Sequence, residues 1–227
     1  METTAPQADI GLIGLGVTGQ NLVLNMNDRG YTTIVYKRPT AWVEAFLAQT
    51  AEGTKIRGAH TLEDFVANLK SPRRVMLLVE AGKTVDDLIA KLTAHLAPGD
   101  ILIDGGNSHF EDTTRRQKQL EAQGFFFIGL GIAGGAEAVR QSPCLMPGGS
   151  SSAWPAVQEM LQSLCAKRED GTPGCAWVGE GGSGHYVQMV HNALAFADMQ
   201  LLGETYHILK AGLGLTAPEL HALFAEW

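Results

Sequence analysis

The sequence lacks the features that usually mark nucleic-acid-binding, membrane-spanning and secreted proteins. Its 227 residues carry a formal net charge of -7 and no clustered basic segment, which argues against a nucleic-acid partner. No apolar run reaches the length that spans a bilayer, so no membrane association is predicted. Residues 1–9 lack the basic start and apolar core of a secretory signal, and we predict a short disordered tail there.

Cysteine is also scarce. Cys144, Cys165 and Cys175 are odd in number and lack the paired spacing of a metal site, so no metal centre is predicted. Reduced thiols are typical of cytoplasmic proteins, because disulfides persist mainly in oxidising compartments. We therefore predict a cytoplasmic protein whose thiols are free.

The sequence does contain a regular alternation of apolar and amphipathic segments. Continuous apolar strands separated by helices are typical of a parallel sheet that is covered on both faces. The predicted strands are 9–16, 32–37, 73–81, 101–107, 125–135 and 175–180. The predicted helices of this part are 18–29, 40–49, 61–69, 83–96, 110–123 and 151–167. Thr61 and Asp64 are expected to form a capping box at the start of the third helix.

The alternation stops near residue 181. One long helical pattern runs from Gly184 to about Ala211, and Thr216 with Glu219 predicts a second capping box at the start of another helix. We therefore predict two domains, with residues 1–181 forming the α/β domain and 182–227 the start of an all-α domain. The long helix has apolar positions all round, so we expect the chain to dimerise through it or to be part of a longer protein.

The segment "GLGVTG" at residues 14–19 fits the dinucleotide-binding pattern G-x-G-x-x-G between a strand and a helix. Gly14 would allow the tight turn, Gly16 would let the backbone approach a pyrophosphate, and Gly19 would let the helix pack closely. The N–H groups of Val17 and Thr18 would face the phosphates. "GLGIAG" at 129–134 has the same letters, but the broken segment that follows predicts no helix start. The fold class predicted is therefore a Rossmann-type doubly wound α/β sheet.

The end of the second predicted strand indicates which dinucleotide binds. An acidic residue there would accept hydrogen bonds from the ribose 2′-hydroxyl of NAD. This chain has Lys37 and Arg38 instead, and two cations suit the 2′-phosphate of NADP. The sequence therefore predicts NADP as the cofactor, with a solvated basic turn as the alternative.

Several longer motifs resemble those of the 6-phosphogluconate dehydrogenase family. These are "SPRRVMLLVEAG" (71–82), "DGGNSHFEDTTRR" (104–116), "PGG" (147–149), "GHYVQMVHN" (184–192) and "DMQL" (198–201). The resemblance implies a Rossmann coenzyme domain followed by an all-helical domain that forms a homodimer. It also implies NADP-dependent oxidative decarboxylation of a sugar phosphate, 6-phosphogluconate, to ribulose 5-phosphate in the pentose phosphate pathway.

The resemblance also implies site residues, position by position. Those that would contact the cofactor, besides the glycine turn and the two cations, are Val79, Glu80, Ala81 and Asn107. Those that would contact the substrate are Asn107, Ala133, Gly134, Gly135, His191 and Asn192. His191 and Asn192 would also belong to the catalytic group together with Gln188, which occupies the position of the family's catalytic lysine.

This chain departs from the family pattern at the positions that handle protons. Gln188 replaces the catalytic lysine, Ala195 replaces a glutamate, and Phe196 replaces a tyrosine that helps hold the substrate phosphate. Ala133 stands where the family has the serine of Ser-Gly-Gly, and Lys37 stands where it has asparagine. An amide does not titrate near neutrality, and losing one acid–base group typically slows a reaction by about 10²–10⁴.

Three functional hypotheses stay open. The first is a family enzyme with altered catalytic positions and intact NADP binding. The second is a non-catalytic protein that binds NADP or a sugar phosphate. The third is a carbonyl or imine reductase of the wider β-hydroxyacid dehydrogenase superfamily. His191 shares a helix face with Gln188 and is a candidate replacement proton carrier, whereas His185 is predicted to be satisfied by backbone at the helix start and Asp104 to form a turn.

Overall fold

The computed structural model describes residues 7–227. Of the tail predicted at residues 1–9, residues 1–6 lie outside the described residues. For Ala8 and Asp9 the tail prediction is wrong, because Ala8 is fully buried and its N–H donates to the carbonyl of Asn68 at 2.8 Å. Asp9 accepts a hydrogen bond from the N–H of Thr32 at 2.8 Å. Both residues are therefore part of the folded sheet region.

A seven-stranded sheet forms the centre of the first part of the described chain. Its strands are β1 (Ile10–Ile13), β2 (Thr33–Tyr36), β3 (Arg57–Gly58), β4 (Arg74–Leu77), β5 (Ile101–Asp104), β6 (Phe126–Ala133) and β7 (Cys144–Gly149). They lie in the order β3-β2-β1-β4-β5-β6-β7, in which β1 to β6 are parallel and β7 is antiparallel to β6. This order is that of the doubly wound dinucleotide-binding fold, as the sequence predicts.

Helices cover both faces of the sheet. They are α1 (Val17–Asp28), α2 (Ala41–Gln49), α3 (Leu62–Ala67), α4 (Lys83–Thr93), α5 (Phe110–Glu121), α6 (Ala136–Gln141) and α7 (Trp154–Leu164). Adjacent residues of β1 belong to different apolar clusters, since Leu12 packs on one face of the sheet and Ile13 on the other. That alternation explains why the strands are apolar throughout. The hydroxyl of Thr61 accepts from the N–H of Asp64 at 3.0 Å, but the Asp64 carboxylate binds Asn68 instead of reaching back.

The sheet differs from the prediction at both edges. The predicted strand at 175–180 is wrong, because that segment makes only isolated bridges, at Cys175 and Gly179, to the neighbouring strand β7. The strands β3 and β7 were not predicted. Pro147 and two glycines make β7 look like a turn, and a sheet edge tolerates proline because one side of the strand needs no ladder donors. The second glycine motif is also followed by a helix, α6, which the sequence did not predict.

The described chain divides into two compact units between Gln188 and Met189. The division lies within α8 (Ser183–His207), which continues as a π-helical turn over Ile208–Gly212. A last helix, α9 (Ala217–Glu226), begins with the predicted capping box, in which the Thr216 N–H donates to the Glu219 carboxylate at 2.8 Å. Within the described residues, no helix combines the length and apolar character that crossing a membrane requires.

Candidate coenzyme and substrate site

The glycine turn after β1 packs tightly against its surroundings. Gly14 has a φ of +112°, and a Cβ atom there would clash with the carbonyl oxygen of Leu78 at the end of β4. A Cβ atom on Gly19 would likewise clash with the carbonyl oxygen of Gly14. By contrast, a Cβ atom on Gly16 would meet no atom of the described residues within 4 Å. Gly14 and Gly19 are therefore required by packing, whereas Gly16 borders open space.

The helix that follows the turn begins without a side-chain cap. Gly16 is the residue before α1, no described side chain caps the helix there, and its first turn contains no acidic residue. The first N–H groups of a helix have no partner within the helix, and they lie at the positive end of the helix dipole. The start of α1 therefore offers hydrogen-bond donors and partial positive charge to an anion.

A cavity of about 750 Å³ opens beside this turn, at the carboxyl ends of β1, β2 and β4. Among the predicted cofactor residues, the structure brings Gly14, Gly16, Lys37, Arg38, Val79 and Glu80 to its wall. It does not bring Val17, Thr18, Gly19, Ala81 or Asn107 there. The wall is completed by Ile13, Leu15, Tyr36, Leu62, Leu78, Thr84, Asp87, Leu88 and Lys91.

The contribution of α4 to this wall was not predicted from the sequence. Thr84, Asp87, Leu88 and Lys91 line the cavity, and their spacing of three and four residues places them on one face of that helix. This periodic spacing was the signal that could have identified them. Asp87 is an exposed partner of Lys83, to which its carboxylate is bonded at 2.6 Å.

The two cations at the end of β2 are held in different ways. The ammonium group of Lys37 lies 4.5 Å from the ring centroid of Trp42 and 3.5 Å from the carbonyl oxygen of Leu15. The Nε atom of Arg38 donates to the hydroxyl of Tyr36 at 2.8 Å. The terminal nitrogens of Arg38 make no hydrogen bond to any residue in 7–227, so this end of the exposed guanidinium can receive an anion.

A second cluster of predicted residues lies at the ends of β5 and β6. Gln188 in α8 is only 5% exposed, and its Nε2 atom donates to Asn107 Oδ1 at 3.0 Å and to the carbonyl of Ile132 at 3.1 Å. Ala133, Gly134 and Gly135 follow Ile132 directly at the end of β6. Because the carbonyl is an acceptor, the nitrogen of the Gln188 amide must face it. Both N–H bonds of that amide are therefore used within the protein.

A buried arginine fixes the loops that border these two clusters, and sequence reasoning missed it. Arg116 in α5 is 1% exposed and donates to Gly82 O at 2.9 Å, to Ser108 Oγ at 3.2 Å and to Asp86 Oδ1 at 2.8 Å. Asp104 lies 3.5 Å from the same guanidinium. As predicted, Asp104 forms a turn by accepting from the N–H of Gly106 at 3.1 Å, and it also accepts from Ser108 at 2.6 Å.

His185, in the first turn of α8, lies beside this network. Its Nδ1 atom is 2.7 Å from the hydroxyl of Thr113, whereas its buried Nε2 atom has no hydrogen-bond partner among the described residues, so the prediction that backbone satisfies this histidine is wrong. Burial lowers the pKa of His185 below its usual value, although the Asp104 carboxylate opposes that shift. The imidazole is therefore neutral at physiological pH.

His191 and Asn192 belong to the second unit. The Nδ1 atom of His191 is 3.2 Å from Asn192 Oδ1, and the imidazole is exposed. Ala195 and Phe196 are exposed on the same helix.

Two family models match the chain, one after the other. The NAD-binding domain of 6-phosphogluconate dehydrogenase matches residues 9–179, and the C-terminal domain of 6-phosphogluconate dehydrogenase matches residues 184–227. A decarboxylating 6-phosphogluconate dehydrogenase of Cunninghamella elegans is 56% identical over 220 residues, which cover 97% of this chain and 45% of the relative. The Drosophila melanogaster enzyme is 53% identical, with coverage of 97% and 46%. The chain thus spans about half the length of the curated relatives it matches.

Solved structures of the same family and of the same fold are also similar to this chain. The 6-phosphogluconate dehydrogenase of Plasmodium falciparum, solved in its apo form, with its cofactor NADP⁺ and with its substrate 6-phosphogluconate, superposes with a TM-score of 0.91 at 39% identity. The superposition covers 96% of this chain and 47% of that one. An imine reductase of Aspergillus terreus shares the fold, with a TM-score of 0.77 at 16% identity over 98% of this chain and 73% of that one. From the family models and these relatives we conclude that the chain belongs to the 6-phosphogluconate dehydrogenase family.

Proposed function

We propose that the chain binds NADP in the cavity beside the glycine turn. The observation that carries this proposal is the combination of open space at Gly16, an uncapped α1 and a free guanidinium end on Arg38. The pyrophosphate would lie against Gly14, Gly16 and the first N–H groups of α1 at Val17 and Thr18, with Gly19 letting the helix pack closely, and the adenosine 2′-phosphate would lie between Lys37 and Arg38. Val79, Glu80 and Ala81 would follow the nucleotide at the end of β4, with Asn107 nearest the nicotinamide. The NADP⁺ complex of the Plasmodium falciparum relative supports this choice of cofactor.

We further propose where the coenzyme domain ends and the helical domain begins. The coenzyme domain would extend to residue 181, and residues 182–227 would begin the helical domain. The limits of the two family matches, at 179 and 184, support this boundary, and so does the start of α8 at Ser183.

The reaction that family membership supports is the oxidative decarboxylation of 6-phosphogluconate to ribulose 5-phosphate. Bound NADP⁺ would supply the acceptor for the hydride that leaves the substrate's C3 carbon. The chain's own groups would then hold the substrate, with Asn107 and the backbone of Ala133, Gly134 and Gly135 on one side. His191 and Asn192 would bind its hydroxyl or carboxylate oxygens.

This reaction requires a group that accepts the proton leaving the C3 hydroxyl. The side chain of Gln188 contacts Asn107, and its two N–H bonds donate to Asn107 and to the carbonyl of Ile132. An amide cannot accept that proton near neutral pH, so Gln188 would only orient Asn107. We therefore expect oxidation in this chain to be slower by about 10²–10⁴ than with a titrating group at position 188.

The same hydrogen bonds favour a second candidate function. A protein that binds NADP and a sugar phosphate without converting them needs no proton carrier, and both N–H bonds of the Gln188 amide are already used within the protein. Under this alternative the chain would act as a sensor or as a partner subunit.

Calorimetric titration tests the coenzyme proposal. The chain should bind NADP more tightly than NAD, and Arg38→Ala should weaken NADP binding by roughly 10–100-fold because a charge-assisted pair with the 2′-phosphate is lost. The variant's affinity for NAD should stay nearly unchanged. Lys118→Ala, which removes an exposed cation from α5, is the matched control and should alter neither affinity. Equal binding of the two nucleotides by the parent chain would contradict the assignment of Lys37 and Arg38.

A turnover assay separates the functional candidates. Formation of reduced NADP from 6-phosphogluconate should be slow in the parent chain and faster in Gln188→Lys combined with Ala195→Glu, whereas Gln188→Met should not recover it. If the double variant binds NADP but stays inactive, the non-catalytic role is the better account. If the parent chain instead oxidises NADPH with a carbonyl or imine substrate, the reductase hypothesis replaces both.

We also propose that the protein is a cytoplasmic homodimer that acts in the pentose phosphate pathway. Family membership supports the pathway and the compartment. The apolar residues exposed on α8 support self-association, because large exposed apolar patches usually mark interaction surfaces.

A further inference from the structure

A short hairpin after α7 brings two cysteines face to face. Lys167 forms an antiparallel bridge with Pro173, and the N–H of Gly174 donates to the carbonyl of Ala166 at 2.7 Å. One step further in the same register, Cys165 lies opposite Cys175. Hydrogen-bonded and non-hydrogen-bonded pairs alternate along an antiparallel ladder, so this register makes the cysteines a non-hydrogen-bonded pair, and Cα atoms of such pairs typically lie about 4.5 Å apart. That separation lies in the range that a disulfide bridges.

The two thiols also interact with each other. Cys165 and Cys175 are each 3% exposed, and the Cys165 thiol donates to the carbonyl oxygen of Leu161 at 3.3 Å. The neighbouring Cys175 thiol lowers the pKa of Cys165, whereas Cys165 and burial raise the pKa of Cys175. Cys165 is therefore the more nucleophilic partner, because the thiolate is the reactive form of cysteine.

An open pocket reaches Cys165 from the surface. The pocket has a volume of about 470 Å³, and Cys165 forms part of its wall together with Arg29, Ser142, Ser163, Ala166 and Lys167. Arg29 and Lys167 place two cations on its wall, and its size admits a small oxidant. The carbonyl of Cys175 accepts from the side chain of Gln162 at 3.1 Å, which fixes the second cysteine against α7.

We propose that Cys165 and Cys175 form a reversible intrachain disulfide when the protein meets hydrogen peroxide. The Cys165 thiolate attacks one peroxide oxygen, the O–O bond breaks, and the departing hydroxide takes a proton to become water. Cys175 then attacks the sulfur of the resulting sulfenic acid; the S–O bond breaks, and the Cys175 proton leaves with the hydroxyl as a second water. Two thiols lose two electrons, and one peroxide is reduced to two waters.

Peroxide treatment of the folded, full chain tests the proposal. The treated protein is unfolded in the presence of an alkylating reagent, digested without reductant and mapped by mass spectrometry. Cys165 and Cys175 should lose their reactivity together and appear in linked peptides lighter by two hydrogen atoms, and dithiothreitol should reverse the change. The linkage closes a short loop, so the Tm of the oxidised chain should rise by roughly 5–10 °C.

Cys144 provides an internal control, because it is exposed and lies outside the hairpin. Cys144→Ser should form the same linkage, whereas Cys165→Ala should form none and show no Tm rise with peroxide. The proposal is overturned if Cys144 becomes oxidised while Cys165 and Cys175 remain alkylatable, or if Cys175 is found linked to Cys144. The peptide map of the parent chain distinguishes these outcomes even if a cysteine variant fails to fold.

Discussion

His185 is buried beside Asp104 at the end of β5 and Arg116 in α5. The Thr113 hydroxyl contacts its Nδ1 atom, and Asp104 and Arg116 are the charged groups that influence its pKa. Burial dominates and lowers the pKa of the folded state below the usual value of 6.5. The histidine therefore remains neutral in the folded protein at a pH at which it is already protonated in the unfolded chain.

This pKa shift predicts a loss of stability in mild acid. Above about pH 6.5 His185 is neutral in both the folded and the unfolded chain, so the free energy of unfolding includes no penalty from this residue. As the pH falls below that value, the unfolded chain takes up a proton that the folded chain does not, so the free energy of unfolding decreases until the folded pKa is reached. The slope from this one group is at most about 1.4 kcal/mol per pH unit.

Urea unfolding between about pH 7.5 and pH 5 measures this dependence. This pH range lies above the range in which carboxyl groups with lowered pKa values, such as Asp9 and Asp86, change the free energy of unfolding. His185→Gln should flatten the slope, while His60→Gln should leave it unchanged because His60 is an exposed histidine with 68% of its side chain accessible. An unaltered slope in His185→Gln would show that the buried imidazole is not responsible.

At the scale of elements, α5 joins the loops after β4 and β5 through Arg116. Arg116→Met would leave Asp104 buried without its cation, and breaking such a pair typically costs about 3–5 kcal/mol. The adjacent Arg115 also pairs with Asp86, but it is exposed, so Arg115→Met should cost less than about 1 kcal/mol. Urea unfolding of the two variants compares neighbouring positions on one helix. Equal losses would contradict a special role for the buried arginine.

The elements that the sequence predicts correctly are those whose pattern lies within a short segment of the chain. Apolar runs, caps and the glycine turn predict β1, α1 and the parallel core, because each depends on residues close in sequence. The edge strand β7 was missed because Pro147 and neighbouring glycines have the composition of a turn. Its glycines are required by close packing instead, since a Cβ atom on Gly148 would clash with Ser183.

The candidate site, too, contains residues that the sequence predicts and contacts that it does not. Gly14, Gly16, Lys37 and Arg38 belong to a compact strand–turn–helix–strand motif, and the structure places them on one cavity. The partners of Arg116 come from several loops, and Thr113 meets His185 across 72 positions of sequence. Contacts of that kind depend on the packed fold, and no periodic or capping pattern encodes them.

At the scale of the whole molecule, α8 exposes much apolar surface. Leu194, Phe196 and Leu201 on α8 are 64%, 65% and 61% exposed. Surface patches of this kind are uncommon in isolated soluble proteins unless another surface covers them. Leu194 and Leu201 are seven residues apart and therefore lie on the same face of the helix. This face is the candidate contact between two copies of the chain.

Sedimentation equilibrium over a range of concentrations tests this contact. The parent chain should behave as a dimer that dissociates on dilution, because burying the apolar face of α8 provides the driving force for association. Replacing Leu194 and Leu201 together by Glu should give a monomer, since charges on that face would have to be desolvated in the dimer. Trp42→Glu changes an equally prominent apolar side chain in the first unit, where Trp42 is 57% exposed, and it should leave the dimer intact. A parent chain that is monomeric at every concentration would exclude α8 as a self-association surface, and a dimer that survives the double substitution would place the contact elsewhere on the molecule.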